Sequence, residues 1–149
     1  EMIEAVGKKF LPGYFNKLNA LLKPNGLLLI QAIIIADQRF KAYSRGEDFI
    51  QKHIFPGGFL PSLSLVTKII ANSTELVVRD ILDIGLDYAQ TLAHWHTNFK
   101  NHRANLEKLG YDERFQNLWS YYLGYCEGGF LERRISAAQI LASKAPHTY

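Results

Sequence analysis

The sequence predicts an α/β domain, and three observations predict it. Leu27 to Ile35 is an unbroken apolar run rich in β-branched residues; Asp87–His102 and Asp112–Cys126 repeat large apolar side chains every three or four residues; and extended and helical segments alternate along the chain. At 149 residues and 48% hydrophobic composition the chain is globular and long enough to bury one domain's core.

The elements follow in order. Glu1 to Gly7 reads as the end of a strand or a turn. Phe15, Leu18 and Leu22 share one face of a helix over Tyr14–Leu22, which Lys23-Pro24-Asn25-Gly26 closes. The Leu27–Ile35 run then fits a strand buried on both faces. A short helix is expected over Glu47–Ile54, stopped by Phe55-Pro56-Gly57-Gly58. Pro61 and Ser62 cap the next helix, which turns Leu63, Val66, Ile69 and Ile70 inward. Leu76–Asp83 is a second strand, and the two amphipathic helices follow, the latter ended by Gly128 and Gly129. Ile135–Ser143 is the last strand.

Composition excludes several classes. A formal charge of +3 with no run of like charges does not suit nucleic acid, but is compatible with an anionic membrane surface. Cys126 is the one cysteine, which excludes an internal disulfide framework and fits a reducing, cytoplasmic setting. Glu1–Gly7 has no signal-peptide pattern, and Gly26–Ala36 is too short an apolar run to cross a bilayer. No glycine-rich nucleotide turn, G-x-S-x-G, C-x-x-C or H-E-x-x-H occurs. His94 and His96 flank Trp95 and point to different sides of a helix, so no metal site is expected.

Read from chemistry alone, the remaining candidates stay open. Glu1 and Glu4 lie near a sheet edge, as surface acids or as acid/base groups in a cleft. Gln31, inside the apolar strand, either satisfies the core or points into a polar pocket. Asp37 and Arg39 read as a strand-end ion pair. Tyr121 and Tyr122 are adjacent and cannot share one helix face, so one hydroxyl can line a cavity. The Phe55–Ser62 loop, FPGGFLPS, is apolar enough for lipid contact, against the default of a packed surface loop.

Five segments in register carry a resemblance over essentially the whole chain. They are EMIEAVG at 1–7, LLLIQAI at 27–33, FPGGFLPS at 55–62, DYAQTLAHWHTNF at 87–99 and LWSYYLGYCEGGF at 118–130. Together they resemble the cyclopropane and mycolic acid synthase family of S-adenosylmethionine-dependent methyltransferases. The resemblance implies the C-terminal half of a Rossmann-like class I methyltransferase sheet with helical insertions, over residues 1–149. The cofactor-binding N-terminal half, including an active-site cysteine, then lies upstream.

It implies methyl transfer to the double bond of an unsaturated acyl chain in a phospholipid, with ring closure by loss of a proton to a bound bicarbonate. Glu4 and Tyr122 match two bicarbonate-binding, catalytic positions of the family, and Ile33 matches a backbone contact. Gln31 stands where the family carries histidine, a departure that leaves one amide donor for the anion. Phe55, Phe59 and Leu60 are the lipid-contacting candidates, at a peripheral site on the inner membrane surface. An exposed sheet edge would favour a homo-oligomer. The alternatives are an amine acceptor, a methyl-branched lipid product, and a non-catalytic lipid-binding module.

Overall fold

Residues 2–144 are described by the structure, a computed structural model. Three strands, β1 (Leu27–Ile35), β2 (Leu76–Asp83) and β3 (Ile135–Lys144), form one sheet in the order β1-β3-β2. The last strand in sequence therefore lies in the middle. It runs antiparallel to β2, from Leu76 opposite Lys144 to Asp83 opposite Ala138, with a bulge between Val78 and Asp80.

The described residues form two compact units. Among the described residues, the first comprises 2–84 and 136–144. It carries α1 (Ile3–Val6), a 3-10 turn (Lys8–Phe10), α2 (Leu11–Leu21), α3 (Asp37–Tyr43), α4 (Phe49–His53) and α5 (Leu63–Ser73). Its core sets Leu11 and Phe15 of α2 and Val66, Ile69 and Ile70 of α5 against Ile30, Ala32 and Ile34 of β1 and Ala138, Ile140 and Ala142 of β3. All six strand residues are even-numbered, so one face of the sheet meets the helices.

That parity confines the expected burial on both faces to the C-terminal end of β1, where Ile34 and Ile35 are both buried. Leu27 and Leu29 are 66% and 62% exposed, and Gln31 is exposed with them, while Ile30, Ala32 and Ile34 are buried. An apolar run does not reveal which of its alternate residues meets a neighbour.

The second unit, Gly85–Ile135, holds α6 (Gly85–Asn101), α7 (Arg103–Lys108) and α8 (Glu113–Leu131). Asp112 caps α8 by accepting the Phe115 N–H at 2.8 Å. The helix runs through Gly128 and Gly129, contrary to their expected role as its end, and the chain turns at Arg133 with φ 50°. Phe130 is buried beyond them, stacked on Tyr88 at 4.9 Å, so packing keeps the last turn helical. Gly129 also has the Ile135 side chain 3.2 Å from where a Cβ would stand, which makes its smallness a packing requirement.

Residues 3–6 are likewise a helical turn rather than a strand end, because Ile3 drops into the core at 1% exposure. Asp37 and Arg39 lie within α3, where the Asp37 carboxylate accepts the Ser64 N–H at 3.1 Å instead of marking a strand end. Among the described residues no helix is long and apolar enough to cross a membrane.

Candidate active site

Four residues of α1 are too few to hold a helix in isolation, so tertiary contacts must place it. Ile3 anchors it from below. The Glu4 carbonyl accepts the Phe59 N–H at 2.9 Å, joining α1 to the apolar loop. The Glu4 side chain accepts the Ile33 N–H through Oε1 at 2.6 Å, and its Oε2 is also buried. A carboxylate taken out of water is costly, and a short charge-assisted bond to a strand amide offsets part of that cost. Gly7, at φ 78°, then turns the chain away with its backbone beside Gly57.

The neighbouring strand end is fixed in the same manner. Ile35 donates its N–H to the Pro61 carbonyl at 3.0 Å, and Leu60 donates to the Tyr43 hydroxyl at 3.0 Å. Gln51 reaches the Gly58 carbonyl at 2.9 Å while sharing a capping box with Asp48. The FPGGFLPS loop is therefore tied down on several sides. Phe59 is buried against Phe40 and Tyr43, Leu60 is half-buried, and Phe55 is 53% exposed. Of the three lipid-contact candidates, Phe55 faces outward and Phe59 serves the interior.

Glu4 and Ile33 are thus brought together at hydrogen-bond distance. Gln31 is two residues away on β1, and its Oε1 accepts from Gln139 Nε2 of β3 at 3.0 Å on an exposed face. It is neither a buried core amide nor a partner of Glu4. Tyr122 belongs to the second unit, half-buried on α8, with its ring 4.9 Å from Trp119 and Trp119 stacked on Phe115 at 5.7 Å. Such rings offer π faces to a developing cation. Glu1 lies outside the described residues.

Two contributions were missed in the sequence. Burial first, and then the negative charge of Glu4, push the Tyr14 phenol above its ordinary value, which places a titratable hydroxyl in the field of the candidate acid. The sequence showed Tyr14 only as the first residue of a helix. His96 bonds Ser120 at 2.7 Å within the second unit, joining α6 to α8. Burial acts to raise the Asp37 carboxyl, but hydrogen bonds from Ser62 and Ser64 outweigh it and hold the group below its usual value. Among the described residues, no three His, Cys, Asp or Glu side chains gather as a metal site.

Comparison with known proteins gives a consistent result. Residues 1–140 match the family model described as mycolic acid cyclopropane synthetase. The chain is 42% identical over 130 residues to a tuberculostearic acid methyltransferase of Mycobacterium tuberculosis, covering 87% of this chain and 30% of that protein. It is 34% identical over 143 residues to the cyclopropane-fatty-acyl-phospholipid synthase of Escherichia coli K12, covering 96% and 36% respectively. A mycolic acid cyclopropane synthase, CmaA1, solved with SAH and CTAB, superposes with a TM-score of 0.84 at 24% identity, covering 95% of this chain and 52% of that one. The chain therefore spans about a third of the length of these curated relatives. The fold is that of S-adenosylmethionine-dependent methyltransferases, represented here by part of the sheet and its helices.

Proposed function

The chain belongs to the mycolic acid cyclopropane synthetase family of S-adenosylmethionine-dependent methyltransferases, and we propose that, as part of a longer protein, it methylates the double bond of an unsaturated fatty acyl phospholipid and closes a cyclopropane ring. The sulfonium methyl group forms a bond to one alkene carbon as its bond to sulfur breaks. The other carbon is left cationic, and loss of a proton from the added carbon closes the ring. S-adenosylmethionine would supply the methyl group from a site mostly outside these residues, in keeping with the SAH found in a solved relative. The membrane lipid would be met peripherally, with Phe55 outermost on the loop.

One observation of this structure carries the reading: the half-buried Glu4, its Oε2 out of water and its Oε1 fixed to the Ile33 amide at 2.6 Å. A proton acceptor must be held in place and shielded from water, because water would capture a carbocation. Bicarbonate would need donors other than the Ile33 N–H. That amide already carries the Glu4 carboxylate, whereas Gln31 accepts from Gln139 through Oε1 and keeps its Nε2 donors for an anion. What the first unit itself offers toward deprotonation is Glu4.

A second reading is favoured by the position of Gln31, on an exposed face and bonded to Gln139 rather than to Glu4. If residue 31 does not help direct proton removal from the added carbon, a hydride shift followed by proton loss leaves a branched alkene. The match to a tuberculostearic acid methyltransferase supports keeping that outcome. Both are tested by incubating the full-length gene product with methyl-labelled S-adenosylmethionine and monounsaturated phospholipid vesicles. A gain of one CH2 per chain in a product without an alkene supports the ring. The same gain with an alkene retained supports the branch. No lipid label, with cofactor binding intact, removes both readings.

A further inference from the structure

Two segments beside one loop carry an excess of positive charge. Residues 8–10 and 37–55 hold six Lys and Arg against three Asp and Glu, so the remainder of the chain is formally neutral. Two of those three acids are occupied by backbone amides, Asp37 by Ser64 and Asp48 by Gln51. All six cations are exposed. Two of them lie on α3, which contributes Phe40 and Tyr43 to an aromatic cluster with Phe59, and the Lys8 ammonium stands 5.6 Å from the Phe40 ring and 6.0 Å from that of Phe59.

Two large apolar side chains project from the same region. Phe10 is 63% exposed beside Lys9, whose ammonium lies 5.7 Å from its ring, and Phe55 is 53% exposed at the start of the apolar loop. The Gly7 and Gly57 backbones adjoin, so the Lys8–Phe10 turn and the Phe55–Phe59 loop are neighbours. Exposed aromatics among lysines suit a bilayer interface, where rings enter the headgroup layer and ammonium groups meet lipid phosphates.

We infer that Lys8, Lys9, Phe10, Lys52 and Phe55 form a docking surface for an anionic phospholipid bilayer. Charge complementarity selects this occupant: an apolar protein partner would gain nothing from six exposed cations, and a single free phosphate nothing from two exposed rings. The surface deepens the proposed lipid reading and rests on it, because it adjoins the loop and turn that hold Glu4.

Flotation of the full-length gene product with mixed phosphatidylglycerol–phosphatidylcholine vesicles, against pure phosphatidylcholine, tests it. The wild type should bind the anionic vesicles more tightly and lose that preference as salt rises. Lys9→Gln and Lys52→Gln should each weaken anionic binding about fivefold, on the scale of one interfacial lysine. Phe10→Ser and Phe55→Ser should weaken it on both vesicle types, and Lys100→Gln in the other unit should change nothing. Equal binding to both vesicle types, or lysine variants that bind as the wild type does, would overturn the surface. Methylation of detergent-dispersed phospholipid by the wild type is read separately: its absence removes the lipid-methylation reading while the flotation result still decides the surface.

Discussion

Glu4 and Tyr122 are both candidate site residues, yet their surroundings hold them by opposite physics. Glu4 sits on a four-residue turn with no side-chain cap, placed by the burial of Ile3, by the Ile33 amide and by the Phe59 amide, bonds that reach 29 and 55 residues along the chain. Tyr122 sits within a 19-residue helix that Asp112 caps and Leu123 and Phe130 anchor. A long capped helix carries its side chains to defined positions by its own regularity, whereas a single turn keeps only the geometry its neighbours impose. The acid should therefore be sensitive to changes far from it in sequence, and the tyrosine should not.

The largest expected effect breaks the first arrangement. Ile3→Ala should cost about 2–5 kcal/mol of stability, the range for truncating a buried aliphatic side chain. It should also lower turnover at temperatures where the protein stays folded, since Glu4 is the next residue. Leu123→Ala should cost a similar amount but leave turnover near normal, because α8 persists around it. Thermal unfolding and activity of the full-length protein, measured in parallel, decide this. Equal activity losses from the two variants would erase the distinction.

Glu4→Gln comes next. The amide keeps an oxygen for the Ile33 N–H, so the fold should survive while turnover falls about 10- to 1,000-fold, the scale of losing a positioned acid/base group. Tyr122→Phe should fall in the same range without a stability loss. In both, lipid binding should change much less than turnover, and unchanged rates in both variants would remove the two residues from the site.

The same contrast explains what was legible in the sequence. The bounds of β1 and β2 could be read because runs of β-branched residues end at clear turn signals, and α5 because Ser62 and the 3–4 spacing of Leu63, Val66, Ile69 and Ile70 agree. α1 was misread because four residues carry no periodicity. Gly128 and Gly129 misled because a glycine can mark a helix end or a close approach, and only Ile135 distinguishes the two. Gln31 was read as buried because an unbroken apolar run gives no parity. At the site, Glu4 and Ile33 emerged through family resemblance, but their direct bond joins residues 29 apart and leaves no local trace. Tyr14 was missed for the same reason: proximity to Glu4 is set by how α1 meets α2.

A smaller effect tests the self-sufficiency of α8. Asp112→Ala removes the acceptor for the Phe115 N–H and should cost about 1 kcal/mol, the usual worth of an N-cap. Tyr122 lies more than two turns from that end, so turnover below the unfolding transition should hold. A drop in turnover comparable to that of Glu4→Gln would mean that the helix start, and not only its packed middle, positions the tyrosine.

The smallest effect concerns charge alone. Tyr14's phenol is raised above 10.0 by burial and by Glu4, so it keeps its proton in the folded state where the unfolded chain has begun to lose it. Its contribution to stability is therefore intact below pH 10 and declines as pH rises from there through the raised value. Glu4→Gln removes the second cause and leaves the first, so the Tyr14 phenol should titrate lower than in the wild type but still above its ordinary value. Following the ring carbon of Tyr14 by NMR through an alkaline titration measures this directly. No change between wild type and Glu4→Gln would mean that the phenol does not feel the acid, and that Glu4 is fixed by the strand amide without any influence on α2.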